Sequence, residues 1–110
     1  MCDFHTADIE SLSMKERYFL MTGCILPRPI AWVTSQNKYT KVLNLAPFSY
    51  FNGISTDPAL VVLGLGRKKE DDDFVQKDTT QNILDTNEFV VHIPQVAQMD
   101  DVDKSSHPFP

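Results

Sequence analysis

Apolar and polar positions run along the chain in short blocks, and each block predicts an element. In "SMKERYFLMTG", Ser13 stands before the run and Glu16 follows three residues on, the spacing of a capping box; Gly23 and then Pro27 end the helix. From Arg28 the pattern shortens. "RPIAWVTS" carries β-branched and aromatic residues and keeps its prolines at the front, where a strand tolerates them. "QNKYTK" is a polar turn, and "VLNLA" reads as the returning strand of a hairpin. "ALVVLGLG", Ala59 to Gly66, is a continuous apolar run whose length and valine content favour a buried strand over a helix. The charged block "RKKEDDD" reads as a solvated loop. "DTTQNILDT" predicts a second helix, with Asp78 as cap, Gln81 completing its box, and Ile83 and Leu84 as a short apolar face. "EFVVHI" is a further strand, and the segment 94–110 is a tail carrying Asp100, Asp101 and Asp103. Short strands joined by tight turns, with two short helices, favour an antiparallel barrel or sandwich over a parallel sheet.

A chain of 110 residues is one domain or part of one, and its 42% hydrophobic content supports a small core. The formal charge of −5 argues against nucleic acid but leaves room for a local basic pocket that takes one small anion. Cys2 and Cys24 form no Cys-x-x-Cys pair and read as free thiols of a reducing compartment, with Cys24 packed as a small hydrophobe. No apolar run approaches the ~20 residues of a membrane helix, and "MCDFHTADIE" is not a secretion signal. A cytoplasmic protein without a membrane partner is expected. His5, His92 and His107 lie far apart and suggest no metal site; His92 within "FVVHI" reads as a hydrogen-bonded strand histidine. "GLG" at 64–66 continues into "RKKE" and is not a dinucleotide fingerprint.

The segments that carry chemistry are "RPIAWVTS" (28–35), "NLAPFSYFN" (44–52) and "KDTTQN" (77–82). Each has a local explanation: a solvated lysine, first-turn threonines, a serine satisfying a neighbouring main-chain group. Together they match the needs of flavin mononucleotide (FMN). Its phosphate is a dianion, which suits a helix N-terminus preceded by Lys77 and followed by Thr79 and Thr80. Its flat ring, with carbonyls and N–H groups along one edge, suits an apolar wall and the main chain of a proline-stiffened segment such as "LAPFSY". Spacing alone does not separate flavin from another phosphorylated cofactor.

In order and in register, "RPIAWVTS", "NLAPFSYFN", "DPALVVLGLG", "KDTTQNI" and "EFVVHI" closely resemble the flavin reductase-like family of FMN-binding split β-barrel flavoproteins. The resemblance runs from about Leu20 to the end of the chain. It implies a mainly β fold, an antiparallel split barrel of Greek-key type with short helices, here incomplete at the C-terminus. Residues 1–110 are then a single domain, with 1–12 as an N-terminal extension and 94–110 as an acidic tail segment. By position, the family implies that Trp32, Val33, Thr34 and Ser35 line the flavin ring and ribityl chain. Asn44, Leu45, Ala46 and Pro47 meet the ring edge through main chain, and Phe48 and Ser49 continue that wall toward the phosphate. Lys77, Asp78 and Thr79 hold the phosphate end, with Asn82 one turn on. Arg28 is either a further contact or the surface partner of an acid.

Two departures stand out. Members often carry glycine in the turn where Thr40 or Lys41 stands here, and an amide where His92 stands. The implied function is an NAD(P)H-dependent oxidoreductase of the flavin reductase type, a homodimer that passes hydride equivalents from NADH or NADPH through FMN to a flavin, a metal complex or a partner oxygenase. The alternatives are an electron carrier without its own NAD(P)H activity, or a truncated remnant. No general acid or base is implied, because the cofactor reacts and the protein positions it.

Overall fold

In a computed structural model of the chain, residues 4–70 and 73–107 are described. Cys2, Asp71, Asp72 and the closing residues 108–110 lie outside them. A 3-10 turn at Ile9–Ser11 leads into α1 (Met14–Cys24). The expected capping box is present, with the Glu16 N–H donating to Ser13 Oγ and the Ser13 N–H to the Glu16 carboxylate, each at 3.1 Å. The Ser13 main-chain N–H, and after it the Ser13 hydroxyl, hold the Glu16 carboxyl below its ordinary value. This cap is therefore made above the unfolded-chain value and lost as pH falls through the lowered one. No residue of α1 is buried. It is tied down at its ends, where Arg17 donates to the carbonyls of Ile9 and Glu10 at 2.8 and 3.1 Å. Arg28 donates to the carbonyls of Thr22 and Ile25 at 3.0 and 2.8 Å. It thus satisfies carbonyls that a helix C-terminus leaves free, and among the described residues it has no acidic partner. Cys24 is exposed rather than packed, since α1 has no buried face to hold it.

The structural centre is a three-stranded antiparallel sheet of order β2-β1-β7, built from β1 (Ala31–Gln36), β2 (Leu43–Phe48) and β7 (Val90–His92). Strand alternation divides β1 between two faces. Ala31, Val33 and Ser35 are buried, whereas Trp32, Thr34 and Gln36 point the other way and are half-exposed. The register places Ala31 opposite Phe48 and Val33 opposite both Ala46 and Val91. These pairs form the core: Ala31, Val33 and Phe48 are buried, with Ala46, Val91, Phe51, Leu63 and Leu65 packed against them. Pro47 sits in β2. β2 is an edge strand, where a missing N–H costs no ladder bond. In the β1–β2 turn, Asn37 Oδ1 accepts from the N–H groups of Tyr39 and Thr40, each at 2.9 Å. Lys41 takes the left-handed conformation at φ 63°, doing the work of the glycine that the turn lacks.

β3 (Phe51–Thr56) and β4 (Ala59–Leu63) form a separate antiparallel hairpin. The apolar run through β4 was expected to be buried, yet Leu60, Val61 and Val62 are 48%, 49% and 48% exposed. β4 has β3 as its sole strand neighbour among the described residues. At the start of the hairpin the Gly64 N–H donates to the Tyr50 carbonyl at 2.7 Å, and a Cβ on Gly64 would stand 2.8 Å from Tyr50 Cβ. Only glycine permits that approach. Within the charged block expected as a loop lies β5 (Lys68–Glu70), which pairs antiparallel with β6 (Asp73–Val75), a strand that begins at the block's last residue. Among the described residues the three sheets do not close into a barrel. The fold shown is antiparallel sheets with short helices.

α2 (Asp78–Thr86) forms as expected, but its N-cap is Lys77, which makes no side-chain cap bond. Asp78 is a first-turn residue, where an acid favours the helix dipole. Gln81 donates to Asp85 at 3.0 Å instead of closing a box. Ile83 is half-buried, and Leu84 faces solvent. The tail is not irregular: α3 (Met99–Ser105) carries Asp100 and Asp101 in its first turn and Lys104 in its last, charges that suit its dipole. No helix among the described residues is long and apolar enough to cross a membrane.

Candidate functional site

The residues expected to face flavin fall on both faces of one sheet and along its free edge. Val33, Ser35, Asn44, Ala46 and Phe48 share the core face, while Trp32, Thr34, Leu45 and Pro47 share the opposite one. One flat ligand cannot meet all of these side chains. Among the described residues no strand pairs with the outer side of β2, and an edge strand leaves a row of N–H and C=O groups open there.

α2 docks on the core face through two side-chain hydrogen bonds. Asn44 Nδ2 donates to Thr79 Oγ1 at 2.9 Å, and Asn82 Nδ2 donates to Ser35 Oγ at 3.0 Å. Thr79, Asn82 and Ser35 are 1%, 5% and 3% exposed. Four expected site residues are therefore brought together as a polar link between helix and sheet. This link sets the height and tilt of α2, and with it the position of the helix N-terminus. Asn82→Ala should lower stability by about 1–3 kcal/mol, because it leaves the Ser35 hydroxyl buried without its partner. Adding Ser35→Ala should recover part of that loss, which thermal melts of the single and double variants measure through their coupling.

At the start of α2 the first-turn N–H groups have no side-chain cap. Lys77 Nζ lies 5.2 Å from the centroid of the Phe48 ring and, among the described residues, has no carboxylate partner. Thr80 Oγ1 is buried with no hydrogen-bond partner among the described residues. An uncapped helix end, a lysine without an acid and an orphaned hydroxyl are what a phosphate would satisfy. The residues present thus fit the phosphate of FMN. Two observations shape that fit. Asp78, in the same turn, is paired with Lys68 at 3.5 Å and would repel a dianion at close range. A polar recess of about 390 Å³ between α2 and the β1–β2 turn is lined by Asn37, Asn44, Asp78 and Asn82 but by no cation. The favourable side of the helix start is therefore the Lys77–Phe48 side.

Ser49 stands apart from this cluster. Its hydroxyl accepts from Arg28 Nε at 3.4 Å, and the Arg28 guanidinium lies 5.6 Å from the Tyr50 ring centroid. Both residues line an apolar groove of about 420 Å³ between the end of α1 and the β3–β4 hairpin, with Met21, Ile25 and Val62.

On the face away from the core, Thr34 Oγ1 and His92 Nε2 lie 2.9 Å apart, so His92 is hydrogen-bonded on its strand as its sequence context suggested. The Trp32 indole N–H donates to Ser105 Oγ at 2.9 Å. Ser105 went unnoticed in the sequence. The acid-first, lysine-last pattern of "MDDVDKS" signals a helix there, but nothing local signals its contact with β1. Among the described residues no cluster of His, Cys, Asp or Glu is arranged to hold a metal ion.

An uncharacterized protein of Halalkalibacterium halodurans is 44% identical over 101 residues, covering 92% of this chain and 46% of that protein. Bacillus subtilis YwrF is 38% identical over 97 residues, covering 88% of this chain and 45% of YwrF. Among solved structures, component B of nitrilotriacetate monooxygenase from Bacillus cereus aligns with a TM-score of 0.86 at 34% identity, over 100% of this chain and 52% of that one. The 2-nitrobenzoate 2-nitroreductase NbaA of Pseudomonas fluorescens aligns with a TM-score of 0.80 at 33% identity, over 96% of this chain and 48% of that one. The chain spans about half the length of these relatives. Residues 22–110 match the family described as "Flavin reductase like domain", and the chain belongs to that family.

Proposed function

We propose that this chain acts as an FMN-binding oxidoreductase of the flavin reductase type, drawing electrons from NADH or NADPH and delivering them to a flavin, a metal complex or a partner protein. The observation that carries the reading is the meeting of the uncapped start of α2, with Lys77 beside it, and the open edge of β2. A monooxygenase component and a nitroreductase among the structural relatives support redox chemistry.

In this reading Lys77 and the first-turn N–H groups of α2 neutralise the phosphate, with Thr80 Oγ1 as a further donor. The main chain of Asn44 to Pro47 orients the ring edge, and Trp32 and Pro47 give it an apolar wall that excludes water. Ser35, Asn44, Thr79 and Asn82 act from within, holding helix and strand at a constant separation. The flavin, when bound, supplies the capacity to accept and release two electrons. The chain's part is to hold it and tune its surroundings.

The reading includes a split barrel that draws the three sheets together, a cytoplasmic setting and a homodimer. Ile54 is 61% exposed, and with Leu60, Val61 and Val62 it leaves an apolar hairpin that a second copy would cover. Purified protein incubated with FMN and gel-filtered should retain a flavin absorbance band and then consume NADH or NADPH. Failure to retain flavin sinks the reading. Retention without nicotinamide consumption reduces it to an electron carrier. Sedimentation across micromolar concentrations should show a dimer, and a well-folded monomer throughout would remove that part.

A further inference from the structure

Trp32 is the single tryptophan of the chain, and it stands in β1 on the face away from the core. A half-buried indole has one donor, and the direction of that donor fixes the ring plane. Here it is spent on Ser105, 73 residues away. Ser105 has one proton to give, and its hydroxyl gives it to the Val102 carbonyl at 2.8 Å. The serine oxygen is therefore committed as an acceptor toward the indole, and the chain Trp32 to Ser105 to Val102 runs in one direction. Ser105 is the last residue of α3, which has no buried residue of its own and packs against β2. The bond thus joins the central strand to a helix that lies over the neighbouring edge strand.

We propose that Ser105 is a positioning residue for the cofactor: by accepting from the indole N–H, it sets the orientation of the Trp32 ring and so the wall against which a flavin ring rests. The proposal rests on the reading of Trp32 as part of that wall. Without the acceptor, the indole of a half-exposed residue is free to take other rotamers and the wall loses its defined plane. The adjacent Ser106 provides a built-in comparison. Its hydroxyl donates to the Asp103 carbonyl, and the Trp32 indole donates to Ser105 instead.

The test uses the full chain, wild type and as Ser105→Ala, Ser105→Thr and Ser106→Ala, with far-UV circular dichroism confirming the fold. A single tryptophan makes emission a report on Trp32 alone. Added FMN should quench that emission in the wild type. Ser105→Ala should shift the cofactor-free emission to longer wavelength, lower its anisotropy, change the visible dichroism band of added FMN, and weaken FMN binding about two- to tenfold. Ser105→Thr keeps the hydroxyl and should behave as wild type, as should Ser106→Ala. If FMN leaves wild-type emission unquenched, Trp32 is not at the cofactor and the underlying reading fails together with the proposal. If FMN quenches but Ser105→Ala keeps wild-type emission and dichroism, the proposal alone fails. Equal changes in Ser106→Ala also overturn it, since they indicate a general loosening of α3. Should Ser105→Ala not fold, Trp32→Phe keeps a ring and removes the donor. It should then change the visible dichroism band of added FMN relative to wild type, and an unaltered band overturns the proposal.

Discussion

Phe48→Ala is expected to lower the unfolding midpoint by about 15 °C or more, the largest effect of any single truncation in the chain. Among the described residues three apolar side chains are buried, Ala31, Val33 and Phe48, and Phe48 is by far the largest of them. It lies opposite Ala31 across the β1–β2 ladder, and Phe51 and Leu63 of the β3–β4 hairpin belong to the same cluster. Its removal therefore weakens the contact between the central sheet and that hairpin. Truncating a buried phenylalanine costs about 3–5 kcal/mol, and each kcal/mol moves the midpoint of a domain of this size by ~4–8 °C. Phe48→Leu keeps most of the apolar volume and should lose far less. Thermal melts by circular dichroism measure both. A Phe48→Ala midpoint within a few degrees of wild type would show that the core does not depend on this ring.

Lys77→Ala is expected to weaken FMN binding about tenfold or more while leaving riboflavin binding nearly unchanged. Lys77 is placed over the Phe48 ring at the start of α2, and no carboxylate among the described residues competes for its ammonium. A hydrogen bond to a charged group contributes about 1.5–3 kcal/mol, which corresponds to a factor of ten or more in affinity. The effect should be specific to the phosphate, because riboflavin offers the same ring without the charge. The substitution removes no helix cap, since Lys77 makes no side-chain cap bond, so the helix should survive it. Lys77→Arg should retain most of the affinity. Titrations of both ligands by fluorescence decide the matter, and equal losses for FMN and riboflavin would place Lys77 away from the phosphate.

Local elements were legible in the sequence wherever short-range chemistry decides them. Ser13 and Glu16 define the start of α1 because a capping box is closed within one turn. The alternation in "AWVTSQ" gives β1 its buried and half-exposed faces, because side chains on a strand alternate whatever lies beyond it. The family, too, was legible from the order of its motifs. Lys77 rather than Asp78 as the cap, and the pairing of β5 with β6 at the charged block, were not, because each turns on one or two residues of backbone geometry.

Tertiary structure alone decided which expected site residues share a space. "RPIAWVTS" and "NLAPFSYFN" place their residues in sequence, but the pleat sends Trp32 and Val33 to opposite faces and the strand order makes β2 the open edge. The partners of Ser35, Asn44 and Trp32 lie 47, 35 and 73 residues away, and no local pattern encodes a hydrogen bond across such a distance. Burial of the apolar "ALVVL" is likewise not a property of that segment. Its hydrophobicity creates a demand for cover, and whether the demand is met depends on which surfaces the rest of the assembly brings to it.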